Sequence, residues 1–372
     1  MIYINNNHID ILTRKVPCPE RLNVELTTYC NIKCIMCRGS LNYIDKNDAN
    51  KYLTANDFNT ILNGIDLDRL KVLNLAGEAE PLLNPDILLI LDICREKKII
   101  VEFITNGMLL TPQISKKILG CSSEIHISFG GSTKQTFESI RQGANFETVC
   151  ENIKYLSELK KANSNRYPDI WLNPILMKRN IHELPDIIEL AKEIGCRGVA
   201  CSHLTVNSNE LIDESLFFHK DECNTYLQKA ETVANNYKMP LFKPEYFSTE
   251  SNCETKNNVN PEAWNKCRFL WNHAILGIDG IMPCPSNTGI NFDGDIVKNK
   301  FMNIWNNDWY ADTRYKLLTG NPPDYCKTCK DPSVKDVNKI GSYFTEDILS
   351  DAINFAHLHT TKPLSKNLEL SY

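Results

Sequence analysis

The segment Cys30-Asn31-Ile32-Lys33-Cys34-Ile35-Met36-Cys37 sets three cysteines in a CxxxCxxC pattern, directly after an extended apolar run. Loops this short let three thiolates converge on one cubane iron–sulfur cluster, whose core offers separate irons to separate ligands. One iron is then left without a protein ligand. A structural metal site fills all its positions, whereas a reactive site keeps one free, so the missing fourth ligand points to chemistry. Three zinc ligands awaiting a fourth, or three unconnected thiols, are the plainer alternatives.

The surroundings of this motif form a repeated unit. Leu22–Thr27, Leu70–Leu75, Ile100–Thr105, Glu124–Ser128, Ile170–Leu176 and Gly198–Leu204 have the short apolar or β-branched character of strands. Between them, Thr54–Ile65, Pro85–Lys97, Pro112–Leu119, Phe146–Lys161 and His182–Ile194 have helical periodicity. Thr54 and Thr111 suit helix N-caps, and Gly120 and Gly195 suit stops. Strands separated by helices pair in parallel through right-handed crossovers, so six units predict an α/β fold, a partial (β/α)6 barrel. Chemistry in such barrels sits at the C-terminal ends of the strands, where the cysteine triad falls.

The chain has 372 residues, enough for a catalytic core and an accessory domain, and a formal charge of -5. That charge argues against nucleic acid as a partner, since phosphate binding needs a concentrated basic field. Residues 1–10 lack the apolar core of a signal peptide, and no apolar run is long enough to span a bilayer, which predicts a cytoplasmic protein with no membrane partner. Fifteen cysteines in a reducing compartment are better read as metal ligands where clustered. Isolated Cys94, Cys121, Cys150 and Cys196 suit small buried side chains.

Cys30, Cys34 and Cys37 resemble the cluster-binding motif of the radical S-adenosylmethionine (SAM) superfamily, in which the open iron chelates the amino and carboxylate groups of SAM. Met36 stands where that family usually has an aromatic residue against the adenine. Ala76-Gly77-Glu78-Ala79-Glu80-Pro81 is similar to the family's GxGEP segment, which implies SAM contacts for Gly77, Glu78 and Glu80; Ala79 replaces the usual second glycine. Thr105-Asn106-Gly107 matches a loop beside the cofactor. Ser128-Phe129-Gly130-Gly131 replaces a common Ser-x-Asp-Gly, keeping Ser128 as a cofactor contact. Arg141 falls in a segment whose arginine neutralises the SAM carboxylate, the alternative being a surface helix charge. On the last strand, Cys201 and His203 share one face; pointing inward, Cys201 would donate a hydrogen atom and His203 would bind substrate, while a buried thiol and a packed imidazole are the plainer readings.

Beyond a charged helix over 213–238 and a polar stretch over 249–260 come Cys267, the strand Ala274–Ile278, the turn Asp279-Gly280, Cys284, and then Cys326-Lys327-Thr328-Cys329. Two single cysteines followed by a CxxC resemble the auxiliary-cluster domain of SPASM and "twitch" radical SAM enzymes. Trp305 and Arg314 fit that resemblance. Four cysteines hold zinc as readily as a second [4Fe–4S] cluster, and the family context favours iron–sulfur. The expected organisation is an N-terminal segment 1–21, a barrel 22–210, a helical linker 211–260, a small cysteine-rich auxiliary-cluster domain 261–335 and a tail 336–372.

The resemblance implies reductive cleavage of SAM, hydrogen abstraction from a substrate C–H bond and an external one-electron reductant such as flavodoxin or ferredoxin. A second cluster close to the barrel mouth would accept an electron, giving oxidation of a small substrate or modification of a peptide; a cysteine hydrogen donor would give epimerisation instead. The short stretch before Leu22 tilts the expectation towards a small or unfused substrate. A zinc-stabilised binding protein is the competing class, and colour separates them. Anaerobic purification is expected to give a brown protein with broad visible absorbance, and a colourless, zinc-loaded one would reject the enzyme.

Overall fold

Because each apolar strand is followed by a helix, every strand has to return parallel to its neighbour, and the register records this. In this computed structural model, which describes residues 15–37, 51–248, 267–278, 280–284, 292–293, 300–327 and 343–359, the barrel strands are β1 Arg21–Val24, β3 Val72–Leu75, β4 Val101–Thr105, β5 Ser122–Phe129, β7 Asp169–Leu176 and β8 Gly198–Ala200. They pair in parallel in the order β1-β3-β4-β5-β7-β8. This is the partial barrel.

The register sorts side chains onto two faces. Val24, Leu75, Phe103, Ile125 and Ile170 form one cross-strand row and are fully buried in the apolar core. The adjacent row on the other face is Asn23, Asn74, Glu102, Glu124 and Asp169. Arg21 reaches across β3 to Glu102 at 2.5 Å on that face. The first face packs against helices, and the second, which also carries Ile104 and Trp171, lines the interior.

Helices begin where the side chains predict. Thr54 accepts from the Asp57 amide ahead of the helix Ala55–Asn63, and Thr111 accepts from the Ile114 amide ahead of the helix Pro112–Ile118. Gly120 (φ 99°) and Gly195 (φ 84°) take left-handed turns at the chain reversals, where a Cβ is strained. Cys94, Cys121 and Cys196 are buried and Cys150 half-buried, as small apolar side chains.

Three features go beyond the sequence reading. A short helix over Lys134–Ile140 was not expected; Thr133 caps it, and the Glu183 carboxylate accepts from the backbone of Ser132 and Thr133 and from the hydroxyls of Ser132, Thr133 and Thr136. Burial works to raise the Glu183 carboxyl, and those donors outweigh it and hold it below the ordinary carboxylate value. Second, the helix Lys220–Tyr237 and the strand β10 (Leu241–Phe242), which pairs with β8, make most of the supposed linker a continuation of the barrel. Third, β11 (His273–Gly277) pairs in parallel with β1, and β12 (Gly280–Met282) returns antiparallel. A partial barrel would otherwise leave β1 as an open edge, and β11, buried at all five positions, needs cover.

Arg314 ties this second region to the start of the chain. It donates to the carbonyls of Leu270 (2.6 Å) and Trp305 (2.8 Å) and lies over the Trp305 ring, while the Trp305 indole donates to the Pro17 carbonyl. Downstream, Phe344 bridges to Val206 ahead of the helix Glu346–His359. The polar stretch 249–260 lies outside the described residues.

Glu183→Ala leaves two part-buried amides and three hydroxyls without their acceptor. We expect a loss of about 2–5 kcal/mol in urea unfolding, and a loss below about 1 kcal/mol would show that the Lys134–Ile140 helix does not depend on this carboxylate.

Candidate functional site

The cysteine loop is held by a very short ladder. β2 (Lys33–Cys34) pairs antiparallel with β6 (Arg141–Gln142), with Cys34 opposite Arg141, and the Ile35 amide donates to the Ile140 carbonyl. The Cys37 amide donates to the Cys34 carbonyl, and the Glu80 amide to the Tyr29 carbonyl just before Cys30. The loop leaves the C-terminal end of β1, the face where barrel chemistry sits.

Cys30 and Cys37 are half-buried and Cys34 is buried, and the three thiols are near enough to repel one another when charged. Burial pushes Cys30 up to about 11 and raises Cys34, against which Arg141 acts. The ligands must therefore be deprotonated as the metal binds. Three soft sulfurs on one loop, and no fourth from it, suit a cluster with one open iron. Two buried atoms at this loop have no partner among the described residues: Arg141 Nε, and Oδ1 of Asn207, whose Nδ2 donates to the Met36 carbonyl at 3.2 Å. Donors and acceptors stranded this way fit a site that closes around a polar group.

Glu80 is the hub behind the loop. Its carboxylate accepts from the Asn106 amide (2.7 Å), the Thr105 hydroxyl (2.7 Å) and the Leu82 amide (3.1 Å), and it is 2% exposed. These three donors tie the Glu80 carboxylate to the end of β4 and the turn after it. Asn106, held there, donates from Nδ2 to Asn31 Oδ1 at 2.8 Å and lies 4.0 Å from Cys30 Sγ. Neither Asn31 nor Asn207 stands out in the sequence, since an asparagine in a loop carries no pattern of its own.

Gly77 has a steric reason. A Cβ there would lie 2.6 Å from the Glu25 carboxylate, which accepts from the Glu78 amide at 3.0 Å. Glu78 itself is exposed, and Met36 packs into the apolar core at 8% exposure. Ser128 is in register with Asn173 on the polar interior face, where His126 Nδ1 meets Asn173 at 3.2 Å and Nε2 meets Glu124 at 3.1 Å. Arg141 is 5% exposed rather than a surface charge.

Cys201 and His203 do share a face, but it is the outer one. Ser202 is in register with Ile175 on the interior side, and His203 with fully buried Leu176. His203 packs against the rings of Phe247 (4.9 Å) and Tyr343 (5.5 Å). Cys201 Sγ contacts the Phe242 carbonyl at 3.4 Å, and burial pushes its thiol up to about 12. Both side chains thus pack on the outer face.

The described cysteines of the second set, Cys267, Cys284 and Cys326, lie at the other end of the barrel. Met282 pairs with Ile275, so the antiparallel β12 carries the chain back and Cys284 falls level with the first residues of β1 and β11. Cys267 precedes β11 on the same end. Tyr325, whose phenol burial pushes up to about 12, is close enough to both Cys326 and Cys284 to feel their charge. Cys329 and Asp279 lie outside the described residues. The expectation of a second cluster close to the barrel mouth is therefore corrected: the two sets bracket the interior from opposite ends.

Comparison with known proteins agrees with this division. A family model of the radical SAM superfamily matches residues 24–197, and one of an iron–sulfur cluster-binding domain, SPASM, matches residues 267–330. The chain is 31% identical to an AdoMet-dependent heme synthase of Methanosarcina barkeri over 48% of each chain, and 24% identical to the mycofactocin maturase MftC of Mycobacterium tuberculosis over 50% of this chain and 45% of that one. It thus spans about half the length of these curated relatives. A PqqA peptide cyclase of Bradyrhizobium diazoefficiens is 21% identical over 84% of this chain and 79% of its own. In fold, Streptococcus suis SuiB bound to S-adenosylmethionine superposes with a TM-score of 0.61 at 15% identity, covering 82% of this chain and 67% of that one. AnSMEcpe with bound AdoMet superposes at 0.58 and 13%, covering 91% and 97%.

Burial pushes Glu80 from its ordinary 4.5 up to about 7 against its three donors. The folded state then holds this proton more tightly than the unfolded chain, so the carboxylate's contribution falls as pH rises through this window and is level above it. Relative to Glu80→Gln, wild-type protein should lose on the order of 3 kcal/mol between about pH 4.5 and 7. Unfolding of both proteins across that range checks it, and a wild type that gains on the variant would mean the three donors win over burial.

Proposed function

Since the chain belongs to the radical SAM superfamily and carries a SPASM iron–sulfur domain after its barrel, we propose that it oxidises a peptide at an unactivated C–H bond. Its cofactors are S-adenosylmethionine, a [4Fe–4S] cluster and auxiliary iron–sulfur. We assign the first cluster to Cys30, Cys34 and Cys37, and the auxiliary one to Cys267, Cys284, Cys326 and Cys329. When bound, the first cluster and SAM supply a one-electron cleavage that yields a 5′-deoxyadenosyl radical able to take a hydrogen atom.

The observation that carries this reading is the placement of two cysteine sets at opposite ends of a polar barrel interior. The residues between them, Asn23, Asn74, Glu102, Glu124, His126 and Asn173, offer amides, carboxylates and an imidazole to a polar chain. Ser128 and Asn106 stand at the cofactor end. Loss of a hydrogen atom at that end and of one electron towards the other, with a proton to solvent, gives a net two-electron oxidation. Four cysteines leave no open position on the auxiliary cluster, which favours electron transfer over substrate ligation. Relatives named as a peptide cyclase and a maturase, and SuiB bound to the precursor peptide SuiA, favour a peptide. The outward face of Cys201 argues against a thiol donor and hence against epimerisation. A flavodoxin- or ferredoxin-type protein is the proposed reductant.

Cys34→Ala is expected to abolish reductive formation of 5′-deoxyadenosine while the iron of the second set remains. Unchanged cleavage would reject the assignment. In deuterated water the product should be two mass units lighter than the substrate, carry no deuterium at the reacting carbon and be insensitive to Cys201→Ala; deuterium that depends on Cys201 would restore the epimerase reading.

A further inference from the structure

Arg141 does not sit as a free carboxylate ligand would. Its Nη1 donates to Cys34 Sγ at 3.3 Å, its Nη2 donates to the Phe129 carbonyl at 3.1 Å, and its Nε is buried with no partner among the described residues. Its backbone is in register with Cys34 on the two-residue ladder, so strand and side chain address the same cysteine. The residue is 5% exposed.

Burying a guanidinium's charge is costly unless an anion faces it. Among the described residues no carboxylate forms an ion pair with Arg141, and the group in front of it is the Cys34 sulfur. A neutral thiol is a weak acceptor, whereas a thiolate is the anion this pocket lacks. The charges are complementary only when Cys34 is a metal ligand.

Resting on the assignment of Cys34 to the cluster, we infer that Arg141 is a positioning residue that clamps the Cys34 thiolate and holds a permanent positive charge against the cluster, rather than a ligand of the SAM carboxylate. A fixed cation beside the cluster favours the more negative, reduced state and so eases the entry of the electron. The spare Nε is a further donor on the same side chain, and hydrogen bonds towards cluster sulfurs act in the same direction.

The test uses the full chain, reconstituted anaerobically, as wild type, Arg141→Met and Arg141→Lys. The EPR signal that changes on adding SAM marks the relevant cluster, and it is followed in a reductive titration. At the potential where wild type is half reduced, Arg141→Met should show at least a tenfold lower ratio of reduced to oxidised cluster, equivalent to about 59 mV for one electron. Its SAM affinity should stay within about threefold of wild type. Arg141→Lys, which keeps the charge and loses the planar fork, should fall between the two. Should Arg141→Met fail to retain its cluster, the lysine variant carries the measurement, and a lowered reduced fraction with SAM affinity unchanged supports the clamp. A tenfold or greater loss of SAM affinity with an unchanged titration, in either variant, overturns it. A wild-type signal that ignores SAM would instead sink the cluster assignment on which the inference rests.

Discussion

Two residue pairs, Lys33 with Gln142 and Cys34 with Arg141, fasten the cysteine loop to the barrel. A ladder this short is marginal alone and persists only where its two sides are fixed independently. One side is fixed by the Lys134–Ile140 helix, whose first turn hangs on Glu183 and whose last residue precedes Arg141. The other is fixed by the backbone bond from Glu80 to Tyr29, with the Glu80 carboxylate gripping the end of β4. Two buried carboxylates that touch no cysteine thereby set where the cysteines stand. Holding reactive ligands by a supporting shell of rigid elements is what keeps such a geometry reproducible.

The interior explains why the fold recruits its second region. A barrel of six strands is open along β1, and a polar inner face has little to gain from closing on itself. β11 seals that edge with backbone hydrogen bonds, and in doing so it sets the direction of the chain that follows. β12 must run back, so Cys284 arrives at the end of the barrel opposite the first cysteine loop. The separation of the two cysteine sets is thus a consequence of strand direction, with the polar face between them.

Much of the fold was legible in the sequence, because period-two and period-3.6 patterns, threonine caps and stop glycines act locally. The strand positions and the helix starts at Thr54 and Thr111 follow from those rules. What was not legible is what depends on distant partners. The Lys134–Ile140 helix is seven residues long, too short to announce itself, and relies on a glutamate from a later turn. The docking of β11 beside β1 joins residues about 250 positions apart, which no local pattern encodes. The cysteine spacing was readable because metal ligation imposes it on the sequence, whereas the inward or outward aim of Cys201 and His203 was set by register, which needs the neighbouring strand.

The same distinction governs the polar residues of the site. A motif marks a position and leaves the direction of its side chain open. Glu80 and Arg141 stand in segments that resemble cofactor contacts, yet one accepts from Thr105, Asn106 and Leu82 and the other donates to Phe129 and Cys34. Burial decides between the readings, since a carboxylate or guanidinium withdrawn from solvent has to be answered by whatever lies within reach. Glu80 is answered by two amides and a hydroxyl of the scaffold. Arg141 is answered by one carbonyl and one cysteine sulfur, which leaves its charge without a full counterpart until that sulfur is ionised. The order of assembly follows from this difference: Glu80 completes its network as the chain folds, and Arg141 completes its own only when the metal ligand beside it becomes a thiolate.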